Sequence, residues 1–576
     1  MSERRLGVFI CHCGGNISDY VEVEKVRAAV EHDPNVVVAK TTMFACSDAA
    51  QEEMAADIRE HNLDGIVVAS CSPKLHLQTF MAMAKRAELN PYCYSQANIR
   101  EQCSWAHRSE KPLATEKAIR IVRSALARTR LSEKLTTIRV ETTPKVVVIG
   151  AGVAGMVASL TLADMGLEVF LVEREAEVGG WTKKWGKLFP SNRQGSDLVE
   201  GLLAKVKANE SITLFTEASL VEKSGTVGDF NVTLRVKDKS NITINAGAII
   251  VATGFNPYEP SEGEYGWGAK RVMTLPQYEE LLAKGDGPIT FNGKPVGTVA
   301  YIYCVGSRQG EESEVEKPNT YCSRYCCSAA VHAGIKTNER DPKVNQYHLY
   351  RDMRTYGKYE LLYEKAARDG SVFIRFNEDA PPQVFTEDEK MVVKVEDALD
   401  AGEEMEIPVD LVVLVTGMVP RENSELVNAL KIPIGKDGFF NEIHPKLRPV
   451  ETVINGVFIA GASQGPKTLA ESVASSLAAV AKGGALVMKG YVDLDPHVAV
   501  VNTDACTWCG KCAEACPYDA IEKVKEGDKE VARIVDALCK GGGPCVPVCP
   551  EGAIDIKGYA DEQVRSMIES MVKEAV

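Results

Sequence analysis

Residues 145–155 read Lys145-Val-Val-Val-Ile-Gly150-Ala-Gly152-Val-Ala-Gly155, an apolar run that leads into a glycine-rich turn. A helical pattern follows, and a second apolar run at 167–172 ends in Glu173, 18 residues after Gly155. The glycines permit a tight turn, close approach of a pyrophosphate to a helix N-terminus, and close packing of helix on strand. An acid at the position of Glu173 accepts hydrogen bonds from ribose hydroxyls. The order strand, turn, helix, strand and acid therefore predicts a dinucleotide-binding unit.

Three segments further along the chain resemble the two-dinucleotide flavoproteins of the thioredoxin-reductase type. They are the glycine turn before Trp181, the run 248–251 that leads into Ala252, and the run 456–460 that leads into Gly461. By this resemblance we expect FAD rather than NAD, although Ala462 replaces an aspartate that many relatives carry. No cysteine pair follows the glycine turn before residue 200, which argues against a flavin disulfide reductase. The predicted FAD contacts are Gly150, Gly152, Gly155, Glu173, Arg174, Gly180, Trp181, Ala252, Thr253, Gly254, Gly461 and Ala462.

A second nucleotide-type unit is expected at 296–420, but its phosphate loop has been lost. The strand predicted at 296–303 is followed by Cys304-Val-Gly-Ser-Arg308 instead of a glycine fingerprint. The glycine-rich loop that would bind the phosphates through its backbone N–H groups is therefore missing. Four thiolates suffice for one [4Fe–4S] cluster, whereas the alternative is a vicinal disulfide with unrelated thiols. The candidate ligands are Cys304, Cys322, Cys326 and Cys327.

The predicted helix at 328–336 carries His332, five residues after Cys327. We name His332 as a candidate catalytic residue near the flavin. The alternative is a histidine that only packs between the elements, which is the commoner role of a lone histidine.

Two cysteine runs near the C-terminus predict a ferredoxin domain. The first has the spacing C-x2-C-x2-C-x3-C-P, and the second has Gly542 in place of its second cysteine. In two-cluster ferredoxins the fourth cysteine of each run binds the other cluster. One complete set is then Cys506, Cys509, Cys512 and Cys549. The other set is Cys516, Cys539 and Cys545, which suits a [3Fe–4S] cluster or a four-iron cluster with an outside ligand. Zinc is the alternative for clustered cysteines, but the trailing Cys-Pro fits ferredoxin better.

The first 135 residues alternate short apolar runs with helical patterns, which predicts a small parallel α/β domain. The runs lie at 6–10, 36–39, 65–69 and 92–94, and cysteines follow each of them. Because loops after parallel strands emerge at one sheet edge, these cysteines can converge on one cluster. Spacing does not decide which four bind, and incidental core thiols are the alternative; Cys93, inside a run, is expected to be such a core thiol. The candidates are Cys11, Cys13, Cys46, Cys71 and Cys103.

The overall composition narrows the class of protein. The 576 residues carry a net charge of −14, which leaves no basic surface for nucleic acid. The first residues do not resemble a signal peptide, and no run of 18 uncharged apolar residues predicts a membrane span. Seventeen cysteines in such a chain favour metal binding over disulfides and predict a cytoplasmic protein.

Taken in order, these pieces resemble the HdrA-like family, the iron–sulfur flavoproteins of heterodisulfide reductase in methanogens and bacteria. Its motifs here are Val8-Phe-Ile-Cys-His-Cys-Gly-Gly-Asn16, Cys71-Ser-Pro73, Asn98-Ile-Arg-Glu-Gln-Cys-Ser-Trp105, the fingerprint 150–155, Cys304-Val-Gly-Ser-Arg308 and Tyr321-Cys-Ser-Arg-Tyr-Cys-Cys327. The resemblance implies an oxidoreductase with one FAD and about three to four iron–sulfur clusters. It also implies partners, namely heterodisulfide-reductase-like or hydrogenase-associated electron-transfer subunits in a hetero-oligomer or a dimer of such complexes.

Three departures from the methanogen proteins bear on whether the flavin bifurcates or confurcates electrons. Residues 232–251 leave no room for the additional ferredoxin insert of those proteins. His332 stands where they carry a lysine, and a neutral imidazole would stabilise reduced flavin less than an ammonium does. The third departure is Gly542. All three argue against bifurcation and leave electron transfer intact.

The sequence therefore predicts an α/β multidomain protein. The expected domains are an N-terminal α/β domain (1–135), an FAD domain (144–295 and 421–490), a degenerate NAD-type domain (296–420) and a ferredoxin domain with a C-terminal helix at 560–576 (495–576). The expected function is electron transfer between FAD and several clusters inside a larger complex. The alternatives are a stand-alone NAD(P)H-dependent flavin reductase, a relay to a quinone or benzoyl-CoA reductase module, and a scaffold with vestigial sites.

Overall fold

A computed structural model describes residues 4–285, 287–310, 317–387, 390–400 and 402–572. The chain forms two compact units, one of Met1–Val140 with Asp493–Val576 and the other of Glu141–Val492. Among the described residues, no helix combines the length and the apolar character needed to cross a bilayer.

The N-terminal part of the first unit is a four-stranded parallel sheet in the spatial order second, first, third, fourth. Every residue of its first and third strands is buried, as expected of a parallel sheet covered on both faces. The strands are Leu6–Cys11, Val36–Thr42, Gly65–Ser70 and Tyr94–Asn98. The helices are Val23–Val30, Asp48–Glu60, Pro73–Arg86 and Lys111–Arg130.

The fourth strand lies further along the chain than the run predicted at 92–94. The side chain of Asn90 accepts a hydrogen bond from the Tyr92 N–H and caps the short turn Pro91–Cys93, so the strand begins only at Tyr94. Cys93 lies in this turn and is buried, and its thiol donates to the Glu133 carbonyl.

The C-terminal part of the first unit consists of short antiparallel strand pairs with a helix that packs on Lys111–Arg130. Arg128 donates to the Gly558 carbonyl at 3.0 Å, and Gln563 donates to the Leu131 carbonyl at 3.0 Å. The pairs are Ala499–Val501 with Ile554–Ile556 and Ile521–Glu526 with Lys529–Ile534. The helices are Lys511–Glu514 and Asp561–Val572. The predicted C-terminal helix extends to 576, and its last four residues lie outside the described residues.

The second unit begins with a five-stranded parallel sheet. Its spatial order is Ile212–Phe215, Glu168–Val172, Lys145–Ile149, Ala248–Val251 and Val457–Ile459. Its helices are Val153–Asp164, Gly180–Lys184, Gly195–Ala208, Ser424–Leu430 and Leu469–Met488. A three-stranded antiparallel sheet joins Ala218–Thr226, Asp229–Val236 and Ile242–Ala246, so the chain passes from one strand to the next without an insert.

A second five-stranded parallel sheet in this unit holds the degenerate nucleotide-type fold. Its order is Val272–Thr274, Leu411–Thr416, Thr298–Val305, Asn345–Tyr350 and Val372–Arg375. Its helices are Leu275–Ala283, Cys326–Arg340 and Glu360–Arg368, and its antiparallel strands are Gln383–Glu387, Lys390–Asp397 and Glu403–Val409. The remaining short strands are Ile138–Glu141, Lys187–Leu188, Arg193–Gln194, Phe255–Pro257, Thr290–Phe291, Lys294–Pro295, Met418–Pro420 and Tyr491–Leu494.

Two sequence predictions for this second sheet need correction. The boundary predicted at 295 is too late, because Val272–Thr274 already pairs with Leu411–Thr416 in the second sheet. The helix predicted at 328–336 begins at Cys326, which places both adjacent cysteines in its first turn.

Candidate functional site

A cavity of about 370 Å³ lies where three parallel strands of the first sheet in the second unit end. Its lining includes the residues that directly follow Lys145–Ile149, Glu168–Val172 and Ala248–Val251. Ten of the twelve predicted FAD contacts line it: Gly150, Gly152, Glu173, Arg174, Gly180, Trp181, Ala252, Thr253, Gly254 and Ala462. The other two, Gly155 and Gly461, do not.

Gly155 and Gly461 permit close packing of the segments around the cavity, because neither position has room for a side chain. A Cβ on Gly155 would lie 1.8 Å from the carbonyl oxygen of Gly150, and one on Gly461 would lie 2.8 Å from the Cβ of Ala154. Gly150 has φ +103° and would bring a Cβ within 2.4 Å of the Ala252 carbonyl oxygen. In contrast, a Cβ on Gly152 would meet nothing within 4 Å, which leaves the helix N-terminus open to a ligand.

Two polar side chains test whether this cavity suits FAD. The buried Glu173 carboxylate accepts hydrogen bonds from the N–H of Ala151 at 2.8 Å and of Glu175 at 3.1 Å. An ionised carboxylate accepts about four hydrogen bonds, so positions remain for ribose hydroxyls. The hydroxyl of Thr253 is buried and has no partner among the described residues, as expected where a ligand supplies one. The residues present therefore fit a bound FAD.

Arg421 also lines the cavity, and sequence reasoning missed it. It donates from Nε to the Phe255 carbonyl at 3.1 Å. Burial, and then the charge of Arg174, lowers the pKa of Arg421, and an anionic ligand between the two would relieve both effects. Arg421 belongs to no motif, and only the pairing of Met418–Pro420 with Phe255–Pro257 brings it to the cavity.

A second, small cavity brings together all four cysteines predicted in the degenerate nucleotide fold: Cys304, Cys322, Cys326 and Cys327. The strand Thr298–Val305 shifts register between Ile302 and Val305, and Cys304 has φ +64°, so the chain bulges at this cysteine. Burial raises the pKa of the Cys327 thiol to about 12, so a metal must displace its proton.

Arg308 supplies positive charge to the same cavity. Its Nη2 lies 2.7 Å from a carboxylate oxygen of Asp352, and its Nη1 is buried without a partner among the described residues. A cluster held by four thiolates is negatively charged, so an unpaired guanidinium N–H beside the cysteines suits it.

A row of three aromatic rings connects the two cavities. Phe255 lines the first cavity, and its ring centroid lies 6.0 Å from that of Trp185. Trp185 stacks on Tyr325 at 6.1 Å with the planes 19° apart, and Tyr325 directly precedes Cys326. Residues 185, 255 and 325 are far apart in the sequence and form no motif, so only the fold reveals that the sites are neighbours.

His332 is buried beside this region but is not among the residues that line the first cavity. Its Nε2 lies 2.7 Å from the side-chain oxygen of Asn192, and its ring packs edge-on against Phe189 at 5.9 Å. Burial lowers the pKa of His332 to about 4, so the imidazole is neutral at pH 7. Its catalytic role stays a prediction.

The N-terminal sheet brings four of its five candidate cysteines near one another. Cys11 accepts hydrogen bonds on sulfur from the N–H of Cys13 and of Ala45, both at 3.3 Å. The charge of Cys46 acts on Cys11. Burial raises the pKa of Cys71 to about 11, and the charges of Cys13 and Cys11 contribute less.

Cys103 differs from these four thiols. Burial also raises the pKa of Cys103 to about 11, but the charge that acts on it is that of Lys117, and no other cysteine contributes. Cys103 is therefore the cysteine that we predict to lie outside the ligand set.

Two small cavities in the ferredoxin segment reproduce the predicted crossed sets. One is lined by Cys506, Cys509, Cys512 and Cys549. The other is lined by Cys516, Cys539, Cys545 and Gly542. Gly542 is exposed, and the nearest atom to a Cβ built on it is Cδ of Pro544 at 3.7 Å, so this position has room for a side chain.

The spacing of the thiols also bears on zinc. Four sulfurs around one tetrahedral zinc at about 2.3 Å would lie roughly 3.8 Å apart. Within the part of the chain that the structure describes, no three cysteine sulfurs lie within 4.8 Å of one another. The described thiols therefore do not form the close tetrahedral set that zinc requires.

Comparison with known proteins agrees with this arrangement. Residues 144–289 match the family described as pyridine nucleotide-disulphide oxidoreductase, and residues 499–556 match the 4Fe-4S dicluster domain. These matches confirm the predicted fold class and indicate FAD and [4Fe–4S] clusters as cofactors. The number of clusters and the ligands of each remain predictions.

Two curated relatives are similar along nearly the whole chain. One is an iron-sulfur component of the CoB–CoM heterodisulfide reductase of Methanopyrus kandleri, which is 36% identical over 92% of both chains. The other is the corresponding component of the H(2):CoB-CoM heterodisulfide,ferredoxin reductase of Methanothermobacter thermautotrophicus, which is 35% identical, also over 92% of both. Among solved structures, a thioredoxin reductase of T. acidophilum is 18% identical, with a TM-score of 0.40 over 60% of this chain and 99% of that one, a similarity too weak to bear on the fold.

Replacing Gly155 by Ala tests the dinucleotide turn. Because the new methyl group would lie 1.8 Å from the Gly150 carbonyl oxygen, we expect destabilisation by about 1–3 kcal/mol and loss of most of the FAD. The flavin-to-protein absorbance ratio and thermal unfolding measure both effects. Gly201→Ala is the matched control, because its nearest neighbour lies 3.7 Å away, and it should keep full FAD. Equal FAD contents in the two variants would contradict the assignment.

Cysteines 71 and 103 form a matched pair for the N-terminal site, because both are buried with thiol pKa values near 11. We expect Cys71→Ala to remove about four irons per chain, and Cys103→Ala to remove none. Iron analysis of anaerobically purified protein measures the difference. Iron loss from Cys103→Ala would show that the ligand set was assigned wrongly.

Replacing Gly542 by Cys supplies the missing thiolate of the second ferredoxin set. We expect a [3Fe–4S] EPR signal in the oxidised wild-type protein and its disappearance in Gly542→Cys, with about one more iron per chain. Gly542→Ala adds a side chain without a thiol and should keep the signal. A wild-type protein with four irons in this cluster and no such signal would speak against a three-iron centre.

Proposed function

The chain belongs to the HdrA family, the iron–sulfur flavoproteins of heterodisulfide reductase, and from that premise we propose that it works within a larger cytoplasmic redox complex, passing electrons between FAD and several iron–sulfur clusters. It is an oxidoreductase whose FAD exchanges electrons in pairs or singly and whose clusters carry them one at a time. The observation that carries the proposal is the position of Cys304, at the point where a nicotinamide nucleotide would need its phosphate loop.

The residues between the two cavities support a direct exchange between flavin and cluster. The rings of Phe255, Trp185 and Tyr325 lie between the sites, and all three residues are half-buried. Arg421 and Arg174 hold the anionic part of FAD, and Arg308 balances the charge of the thiolates. The cluster therefore takes the place that NADH occupies in flavin reductases.

The names of the relatives guide the choice of partners. The Methanothermobacter relative is named for hydrogen, a heterodisulfide and ferredoxin as reactants. We propose that the partners of this chain are heterodisulfide-reductase-like or hydrogenase-associated electron-transfer subunits. The cytoplasmic location rests on the many thiolates reserved for clusters, which a reducing compartment preserves.

Anaerobic stopped-flow mixing with NADH tests this proposal against a stand-alone flavin reductase. We expect no bleaching of the flavin at catalytic rates, because the phosphate cradle is missing. Bleaching at such rates would overturn the proposal.

A cysteine variant tests the path from flavin to cluster. Cys327→Ala should retain FAD, lose about four irons and slow the oxidation of photoreduced flavin by the remaining clusters. Cys93→Ala removes a buried thiol outside the cavities and should match the wild type. If Cys327→Ala transfers electrons at the wild-type rate, the flavin does not use this cluster.

A further inference from the structure

We propose that Tyr303 donates a hydrogen bond to the cluster held by Cys304, Cys322, Cys326 and Cys327, and that His348 positions the phenol for this bond. The inference rests on the proposed function, because it requires a cluster on these four cysteines. It assigns to two residues outside the ligand set a part in fixing the reduction potential of the cluster.

Tyr303 lies against the cavity of the four cysteines. It immediately precedes Cys304, lines the cavity of the four cysteines and is 1% exposed. Its hydroxyl lies 2.9 Å from Nδ1 of His348 and has no other hydrogen-bond partner among the described residues. A phenol both donates and accepts, so one of its two capacities is left over in a water-excluded site.

His348 is held in one orientation. It is fully buried between two rings, with Tyr301 stacked on one face at 4.4 Å and 6°, and Phe373 on the other at 4.6 Å and 16°. A Cβ on Gly334 would lie 2.9 Å from His348 Nε2, so the helix Cys326–Arg340 closes the far edge of the imidazole. The imidazole therefore cannot turn away from Tyr303.

The unsatisfied nitrogen of His348 indicates which partner donates. Nε2 is buried and has no hydrogen-bond partner among the described residues. If Nδ1 accepted from Tyr303, Nε2 would carry a buried N–H with no acceptor, whereas the other tautomer leaves only an unused lone pair there. Orphaned buried N–H groups are rarer than unsatisfied acceptors. We therefore place the proton on Nδ1, where it is donated to the oxygen of Tyr303.

The phenolic hydrogen of Tyr303 then needs an acceptor. Because Tyr303 lines the cavity of the four cysteines, we expect this acceptor in that cavity. The acceptor is a thiolate or an inorganic sulfide of the cluster. Hydrogen bonds to cluster sulfur stabilise the reduced, more negative state and raise the reduction potential. Tyr303 would thus make this cluster a better acceptor of electrons from the flavin.

Tyr301 supplies a matched control on the same strand. It is also fully buried, but its hydroxyl lies 3.1 Å from Thr337 Oγ1 and 3.1 Å from Gln346 Oε1, and it does not line the cysteine cavity. Removing this hydroxyl leaves the cluster surroundings unchanged.

EPR-monitored redox titration of the full-length, anaerobically purified chain tests the inference. Cys304→Ala first identifies the signal of this cluster by its loss; if no signal is lost, the proposed cluster itself fails. In Tyr303→Phe the cluster should remain, with its midpoint potential shifted to a lower value. Tyr301→Phe should leave the potential where it was. An unshifted potential in Tyr303→Phe, with the cluster intact, overturns the inference and leaves the proposed function standing.

Variants of His348 test the positioning role and cover the case in which Tyr303→Phe loses its cluster. Asparagine keeps an N–H near the position of Nδ1, so His348→Asn should retain a potential close to that of the wild type. His348→Leu removes this N–H and should shift the potential downward. Equal potentials in the two variants would contradict the role of His348.

Discussion

The positions of the cofactor sites depend on the parallel direction of the strands, which determines the sheet edge at which the residues of each site meet. Strands that run in the same direction deliver their following loops to one edge, whatever their separation in the sequence. In the second unit this edge gathers Gly150, Glu173 and Thr253 around one cavity. In the first unit, Cys11 and Cys71 end or follow neighbouring strands and are brought together in the same way.

A second constraint concerns the cysteine thiols, which must be ionised to bind iron although many of them are buried. Burial opposes ionisation, and the structure offsets it with backbone N–H donors aimed at the thiols. Ala45 donates to Cys11 at 3.3 Å, Ala532 to Cys506 at 3.4 Å and Ala553 to Cys549 at 3.3 Å. Charge-assisted bonds of this kind are stronger than neutral ones and also influence the potential of the metal centre. The same device thus serves the N-terminal and the ferredoxin sites.

The sites with a local pattern could be predicted, and those that depend on tertiary approach could not. For the fingerprint at 150–155 and for the ferredoxin runs, the spacing of a few neighbouring residues is enough to predict the role. Cys103 could not be separated from Cys71 in this way, because each follows a strand and their spacing in the sequence carries no further signal. The row from Phe255 to Tyr325 and the placement of Arg421 likewise arise from contacts between distant segments.

The first unit is assembled from two segments that the whole of Glu141–Val492 separates, and this has a consequence for biosynthesis. The helix Lys111–Arg130 is covered by Asp561–Val572, and Arg128 bonds to the Gly558 carbonyl. During translation the N-terminal segment emerges first, and its partner emerges only after the whole of Glu141–Val492. A ribosome-bound chain therefore exposes this helix face until Asp561–Val572 has been synthesised. A chaperone that protects this face has to remain bound until residues 561–572 have emerged.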